Sequence, residues 1–174
     1  MIRACLLALT LAIAGCSQSA GPERYADRRP LFDPIAFFQG QTFASGVFET
    51  RGGDPRRRFT QVLQGRMEGD TLVLDQVFTY EDGEVEPRTW RVTPIDETTF
   101  EAVSDAAAKP SIGRVYGDVF LWEWIYAGET SNPLTNLRVR QWMYRQDDRH
   151  ITNRVIITKL GIQVAQVTEY FSKP

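Results

Sequence analysis

Few side chains in this 174-residue sequence can make or break bonds. There are two cysteines, Cys5 and Cys16, both near the N-terminus, and a single histidine, His150. One histidine, no thiol later in the chain and no glycine-rich phosphate loop leave no catalytic triad and no metal cluster of usual spacing. No cofactor and no metal are therefore expected. Carboxylates remain for acid–base work. Asp75, Glu123 and Glu169 are the candidates, and each would need a place inside a cavity with a raised pKa. The adjacent pair Asp147-Asp148 sits in Gln146-Asp147-Asp148-Arg149, where turn chemistry explains it. His150 follows at a strand start and reads as exposed.

Cys16 suggests a different chemistry. Residues 5–14 are apolar except for Thr10 and follow a positively charged Met1-Ile2-Arg3. The run is too short for the roughly 20 residues that a membrane-spanning helix needs, and its length and flanks suit a secretory signal. It ends Ile13-Ala14-Gly15-Cys16, which resembles the bacterial lipobox. In such signals the thiol is alkylated with diacylglycerol. Cleavage then leaves the cysteine first in the chain, and its amine is usually acylated too, with palmitate-like chains. The expectation is a signal peptide over 1–15, removed on maturation, and lipid attachment at Cys16. Two or three chains anchor stably where one is reversible, at about 0.8 kcal/mol per buried CH₂. Ser17, not aspartate, follows the cysteine. By Gram-negative sorting rules that points to the outer membrane, facing the periplasm. Residues 16–30 read as the lipidated cysteine and a flexible polar tether, and 31–174 as one domain.

Removing 1–15 takes away only one charge, Arg3, so the domain stays slightly acidic. That balance gives no electrostatic footprint for nucleic acid. Arg56-Arg57-Arg58 reads as a solvated strand end. Both cysteines are used by the signal, so no disulfide is expected despite an oxidising compartment.

Residues 34–39 suit one helical turn, with Asp33 as N-cap, Pro34 at the first position and Gly40 as the stop. From residue 42 onward, segments rich in Val, Ile, Thr and aromatics alternate with turn residues. They cover 42–50, 57–67, 71–80, 86–93, 99–104, 112–116, 119–126, 134–144, 151–160 and 162–172. Pro87 argues for a strand start or edge. A longer loop, 127–133, holds Gly128 and Asn132-Pro133. Short connections make neighbours antiparallel, and a meander this long must close or double over. The expected fold is all-β, a single antiparallel up-and-down barrel of about eight to ten strands, with a sandwich as the alternative.

Alternation sorts the aromatic residues. Phe120, Trp122, Trp124 and Tyr126 share one face. Such a face packs as core or lines a cavity, since barrels of about eight strands can enclose one small ligand. Arg88 and Trp90 share a face on another strand, and Arg138, Arg140 and Trp142 on a third. If the tryptophans point inward, arginines go with them and need a carboxylate or a ligand anion. A carboxylate-headed lipid would suit. If they point outward, the arginines meet water, Glu123 or Glu169. The candidate ligand-binding residues are Trp90, Trp122, Trp124, Arg140 and Trp142.

A set of short motifs runs through the domain: Phe37-Phe38-x-Gly40, Arg58-Phe59, Phe78-x-Tyr80-x-Asp82-Gly83, Arg88-x-Trp90 and Gly117-x-x-x-x-Trp122. The end reads Trp142-Met143-Tyr144-x-x-Asp147, Asn153-Arg154, Lys159-x-Gly161-Ile162 and Val167-Thr168-x-x-Phe171. Together these resemble the bacterial lipoprotein family catalogued as domain of unknown function 3833, over nearly all of 34–173. That family often has Asp where this chain has Gln141. The resemblance implies a lipocalin-like barrel and no established activity. Three readings follow. A membrane-anchored module would bind a lipid or other hydrophobic molecule inside the barrel. An accessory envelope lipoprotein would use the apolar faces of 119–126 and 151–160 to meet a protein partner. A lipid-acting enzyme would use one of the three carboxylates.

Overall fold

The computed structural model describes residues 21–127 and 136–174. Cys16, with the signal and lipidation read from it, lies outside the described residues, as does most of the loop expected over 127–133.

Ten strands follow one another: β1 (Gly40–Thr50), β2 (Pro55–Glu68), β3 (Thr71–Tyr80), β4 (Val85–Pro94), β5 (Thr99–Val103), β6 (Ser111–Tyr116), β7 (Val119–Ile125), β8 (Arg138–Arg145), β9 (His150–Lys159) and β10 (Ile162–Ser172). Each pairs antiparallel with its sequence neighbours, and β1 pairs with β10 to close the barrel. Closure satisfies both edges of the meander, so the barrel prevails over the sandwich. Alternation sets the inward face. In β2, Phe59, Gln61 and Leu63 are buried while Thr60, Val62 and Gln64 are exposed. In β7, Phe120, Trp122 and Trp124 are buried, as their shared face requires.

Pro87 lies within β4, but the edge logic holds locally. Residues 85–90 pair only with β3, because the β4–β5 ladder begins at Arg91. The missing donor of Pro87 therefore costs no ladder bond on the β5 side.

One end of the barrel is plugged. The expected helical turn is α1 (Pro34–Phe38), with the Asp33 carboxylate accepting from Ala36 N–H at 3.0 Å. It places Phe37 and Phe38 over the barrel end, and Phe38 meets Phe171 edge to face at 5.4 Å. Lys173 Nζ donates to the Ala36 and Gln39 carbonyls, satisfying the helix end. Gly65 permits the approach, since a Cβ there would sit 1.9 Å from the Phe38 carbonyl oxygen.

The stretch preceding the helix departs from expectation. Residues 22–30, read as tether, lie against the barrel wall. Pro22–Tyr25 forms a 3₁₀ turn that buries Tyr25. Its ring packs on Trp142 at 6.5 Å and Tyr144 at 6.0 Å, with the Arg24 and Arg28 guanidiniums over its faces. Phe32 N–H donates to the Gly117 carbonyl at 2.8 Å. Gly117 has φ +60°, and a Cβ there would stand 1.9 Å from the Tyr25 carbonyl oxygen. The β6–β7 turn therefore needs glycine both for its backbone and for docking this segment.

Candidate functional site

The barrel interior is not filled. It encloses a cavity of about 290 Å³, the space of roughly ten water molecules at liquid density. Its floor is Pro34, Phe38 and Phe171, above the plug, and its rim includes Tyr80, Glu86, Tyr126 and Leu137. The wall is mostly apolar, with Phe59, Phe78, Leu74, Trp90, Phe100, Phe120, Trp122, Trp124, Val139 and Met143 supplied by six of the strands.

The tryptophans form the middle of that wall. The Trp90 ring meets Trp122 edge-on at 4.4 Å and Trp124 edge-on at 5.2 Å. Strands β4 and β7 are not neighbours, so this contact crosses the interior and braces it. Trp122 is polar-satisfied: its Nε1–H donates to Ser111 Oγ at 2.9 Å, and that hydroxyl donates to the Ala102 carbonyl at 3.0 Å. Trp124 Nε1–H is equally buried and has no partner.

Two polar clusters, and Gln76 besides, interrupt the apolar lining. The first lies near the rim. Arg88 Nη2 donates to Glu86 Oε1 at 2.6 Å, and Tyr80 Oη–H donates to Glu86 Oε2 at 2.9 Å. Burial alone would raise the Glu86 pKa, but the hydrogen bond and charge of Arg88, with the Tyr80 hydroxyl, bring it below the usual carboxylate value. Burial and the neighbouring Glu86 raise the Tyr80 phenol well above its ordinary value. The Arg88 guanidinium also lies over the Phe78 ring, at 4.8 Å, and 5.9 Å from the Trp124 ring. Its Nε–H is buried and unpartnered.

The second group is centred on Glu169, which is buried between Val167 and Phe171 on the inward face of β10. Gln61 Nε2–H donates to one of its oxygens and Asn153 Nδ2–H to the other, the latter at 2.9 Å. Asn153 Nδ2 also donates to Gln141 Oε1 at 3.0 Å. Burial pushes the Glu169 pKa up to about 7, while the Asn153 hydrogen bond and the Arg88 charge act against that rise. The Gln61 and Asn153 carbonyl oxygens are buried without partners.

Of the residues expected to bind a ligand, Trp90, Trp122 and Trp124 line the cavity. Arg140 and Trp142 do not. The β8 register turns Val139, Gln141 and Met143 inward, so Arg140 lies outside, half-exposed and ion-paired to Glu123. Trp142 is outside as well, beneath Tyr25. Arg138 shares their face and approaches the same Glu123 at 3.6 Å. Among the carboxylate candidates, Asp75 is on the exterior with Arg66 and Thr89, and Glu123 with the β8 arginines. Only Glu169 is inside. Asp147 forms the expected turn, binding His150 Nδ1 at 2.8 Å, and His150 stacks on Tyr170. Among the described residues no group of three His, Cys, Asp or Glu is placed to hold a metal.

Glu169 is among the carboxylates the sequence offers, but its partners Gln61 and Asn153 are not singled out there. Each interrupts an otherwise apolar face: Phe59-x-Gln61-x-Leu63, Ile151-x-Asn153-x-Val155 and Val167-x-Glu169-x-Phe171. A polar residue on the buried phase of a strand was the available signal.

The family described as protein of unknown function (DUF3833) matches residues 10–173. No curated protein matches the chain. Among solved structures, the barrel is similar to a protein of unknown function from the DUF3598 family of Nostoc punctiforme PCC 73102, at a TM-score of 0.59 and 14% identity over 84% of this chain. The chain spans about half of that protein, 51% of its length. It is also similar to the S-type phycobiliprotein lyase CPES of Guillardia theta, at a TM-score of 0.56 and 5% identity, covering 79% of this chain and 88% of that one. Identities this low establish a shared fold.

Proposed function

The chain belongs to the DUF3833 family, and we propose that its barrel is a container for one small hydrophobic molecule, carried by an envelope lipoprotein. The observation that carries this reading is the cavity itself. A packed core leaves few voids larger than a water, whereas this interior keeps about 290 Å³ open behind an aromatic wall. That is close to the lower end of ligand pockets, about 300 Å³. The polar groups are few and convergent, as such sites require. A lyase built on a similar barrel is consistent with small-molecule handling by this architecture. The lipobox-like run ending at Cys16 supports the second half of the reading: the protein would be acylated there and would sit on the periplasmic face of the outer membrane.

Tryptophan fluorescence tests the container. N-phenyl-1-naphthylamine, an uncharged apolar dye, should accept energy from Trp90, Trp122 and Trp124 with saturable one-to-one binding. Ala102→Phe and Val167→Phe each fill part of the cavity and should abolish the signal while the protein still unfolds cooperatively. A transfer signal that never saturates, or one unchanged in both filled variants, contradicts the reading.

A second reading has its own observation. Phe43, Val62, Val77 and Pro87 lie side by side across the outer face of β1–β4, all exposed. An outward apolar stripe marks a partner site, and a protein docked there would make this an accessory lipoprotein.

A further inference from the structure

We propose that the outer wall of β6–β9, with residues 22–30 strapped across it, is a membrane-docking face that seats on anionic lipid headgroups. This rests on the lipoprotein half of the reading above, acylation at Cys16, and not on the container.

Reach limits the orientation. The strap is fixed to the barrel by the Tyr25 ring on β8 and by Phe32 N–H on the Gly117 carbonyl, and its 3₁₀ turn lies against β6 and β7. Between an acylated Cys16 and Gly21 there are five residue steps, which span at most about 18 Å. Ten strands about 4.8 Å apart and tilted by about 40° close into a barrel roughly 20 Å across at the backbone and about 30 Å with side chains. Strand β2 stands five places round the barrel from β7, on the far side. With β2 on the membrane, Gly21 would be farther from the surface than the chain can span. The strap wall is therefore the one turned toward the lipid.

That wall has the composition of a membrane interface. Trp142 and Tyr144 stack there at 6.4 Å, half-buried beside Tyr25, and such rings favour the headgroup level. Arg24 and Arg28 lie over the Tyr25 ring at 4.6 and 4.7 Å. Arg29 is held by the Ala26 and Arg28 carbonyls, each at 2.9 Å, and Arg154 is opposite Trp142 in the β8–β9 register. The charges of Arg24 and Arg154 both act on the Tyr144 phenol, which joins the strap and β9 in one patch. Arg28 has Asp118 at 3.4 Å, Arg138 and Arg140 share Glu123, and among the described residues Arg24, Arg29 and Arg154 form no ion pair. With Glu23 and Asp27 on the strap, these six arginines face four carboxylates, in a chain whose net charge is −2. Guanidiniums fork onto phosphate oxygens, and basic side chains beside a lipid anchor are drawn to anionic headgroups. The outer face of β1–β4 differs: its arginines are matched, Arg66 by Asp75 and Arg58 by Glu81.

Fluorescence quenching in vesicles tests this on the acylated protein. With Cys16 occupied by lipid, Ala26→Cys on the strap or Gln64→Cys on β2 supplies the free thiol for a fluorophore, and both positions are exposed. In vesicles of phosphatidylcholine and phosphatidylglycerol carrying a headgroup nitroxide, the label at position 26 should be quenched severalfold more than the label at position 64. Leaving out phosphatidylglycerol should shrink that contrast. Arg29→Gln combined with Arg154→Gln should remove the difference between the two lipid compositions. Equal quenching at the two positions overturns the proposal and leaves this wall to a protein partner. A contrast indifferent to phosphatidylglycerol overturns it as well, and neither result needs the arginine variant. An intact mass showing Cys16 without acyl chains overturns the lipoprotein reading, and this proposal with it.

Discussion

Trp90→Ala is expected to lower the unfolding free energy by about 3–5 kcal/mol, the range for deleting a buried tryptophan. The ring is 2% exposed and spans the interior from β4 to the two tryptophans of β7. Removing it loses the transfer term of a large aromatic and two edge-to-face contacts, each adding about 0.5–1.5 kcal/mol. The neighbours cannot close over the gap, because a cavity already stands beside them. A domain of this size has about 5–15 kcal/mol in total, so the variant should lie at the margin of folding. Urea denaturation of the variant and of Trp90→Phe measures this. Trp90→Phe keeps a ring against β7 and should lose less than half as much. A loss below about 1 kcal/mol for alanine would mean that the cross-barrel contact does not brace the fold.

The second large effect is a pH dependence that Glu169→Gln removes. The Glu169 carboxyl titrates near 4.5 when unfolded and about 7 in the fold. Between those values the native state keeps a proton that the unfolded chain has released. Stability therefore falls as pH rises through that window, and it levels off above about pH 7. A rise of this size corresponds to about 3 kcal/mol at roughly 1.4 kcal/mol per unit. Glutamine keeps the shape without the charge; its oxygen accepts one of the two amide hydrogen bonds, and its NH₂ donates to the unpartnered carbonyl oxygen of the other amide once that side chain turns over. Its unfolding free energy should match the parent near pH 4.5 and exceed it by about 3 kcal/mol near pH 8. Asp75, Asp82, Asp96, Glu86 and Asp147, all with lowered pKa values, act the opposite way, losing stability in acid. They are shared by both proteins and cancel in the difference. Parallel pH curves would show that Glu169 is charged and hydrated in the fold.

Much of this architecture is written plainly in the residues. Turn chemistry between alternating segments marks the strands. Asp33-Pro34 and Gly40 bracket the helical turn, and two-residue periodicity puts Phe120, Trp122 and Trp124 on one inner face. The face of β8 is less legible because it is amphipathic both ways: Arg138, Arg140 and Trp142 against Val139, Gln141 and Met143. A tryptophan there suggests the interior. What settles its place is Tyr25, which covers Trp142 from outside. Tyr25 sits in a polar, charged stretch whose local composition resembles a tether, so the two misreadings have one cause. Only the folded wall, with Gly117 cleared to admit the segment, shows that 22–30 is part of the domain. The role of Arg88 was half legible. Its inward face follows from Trp90, but its partner Glu86 is two residues away on the same strand. Two readings of that arginine, anion receptor or satisfied core charge, differ only by a side-chain hydrogen bond.

A native mass spectrum of the protein purified from its own envelope, followed by extraction of whatever it carries, tests the container most directly. The expected result is a one-to-one complex with a small apolar molecule, lost in Ala102→Phe. A clean unliganded mass that stays unchanged after incubation with envelope lipid extract would contradict it, and would turn attention to the apolar stripe of Phe43, Val62 and Val77.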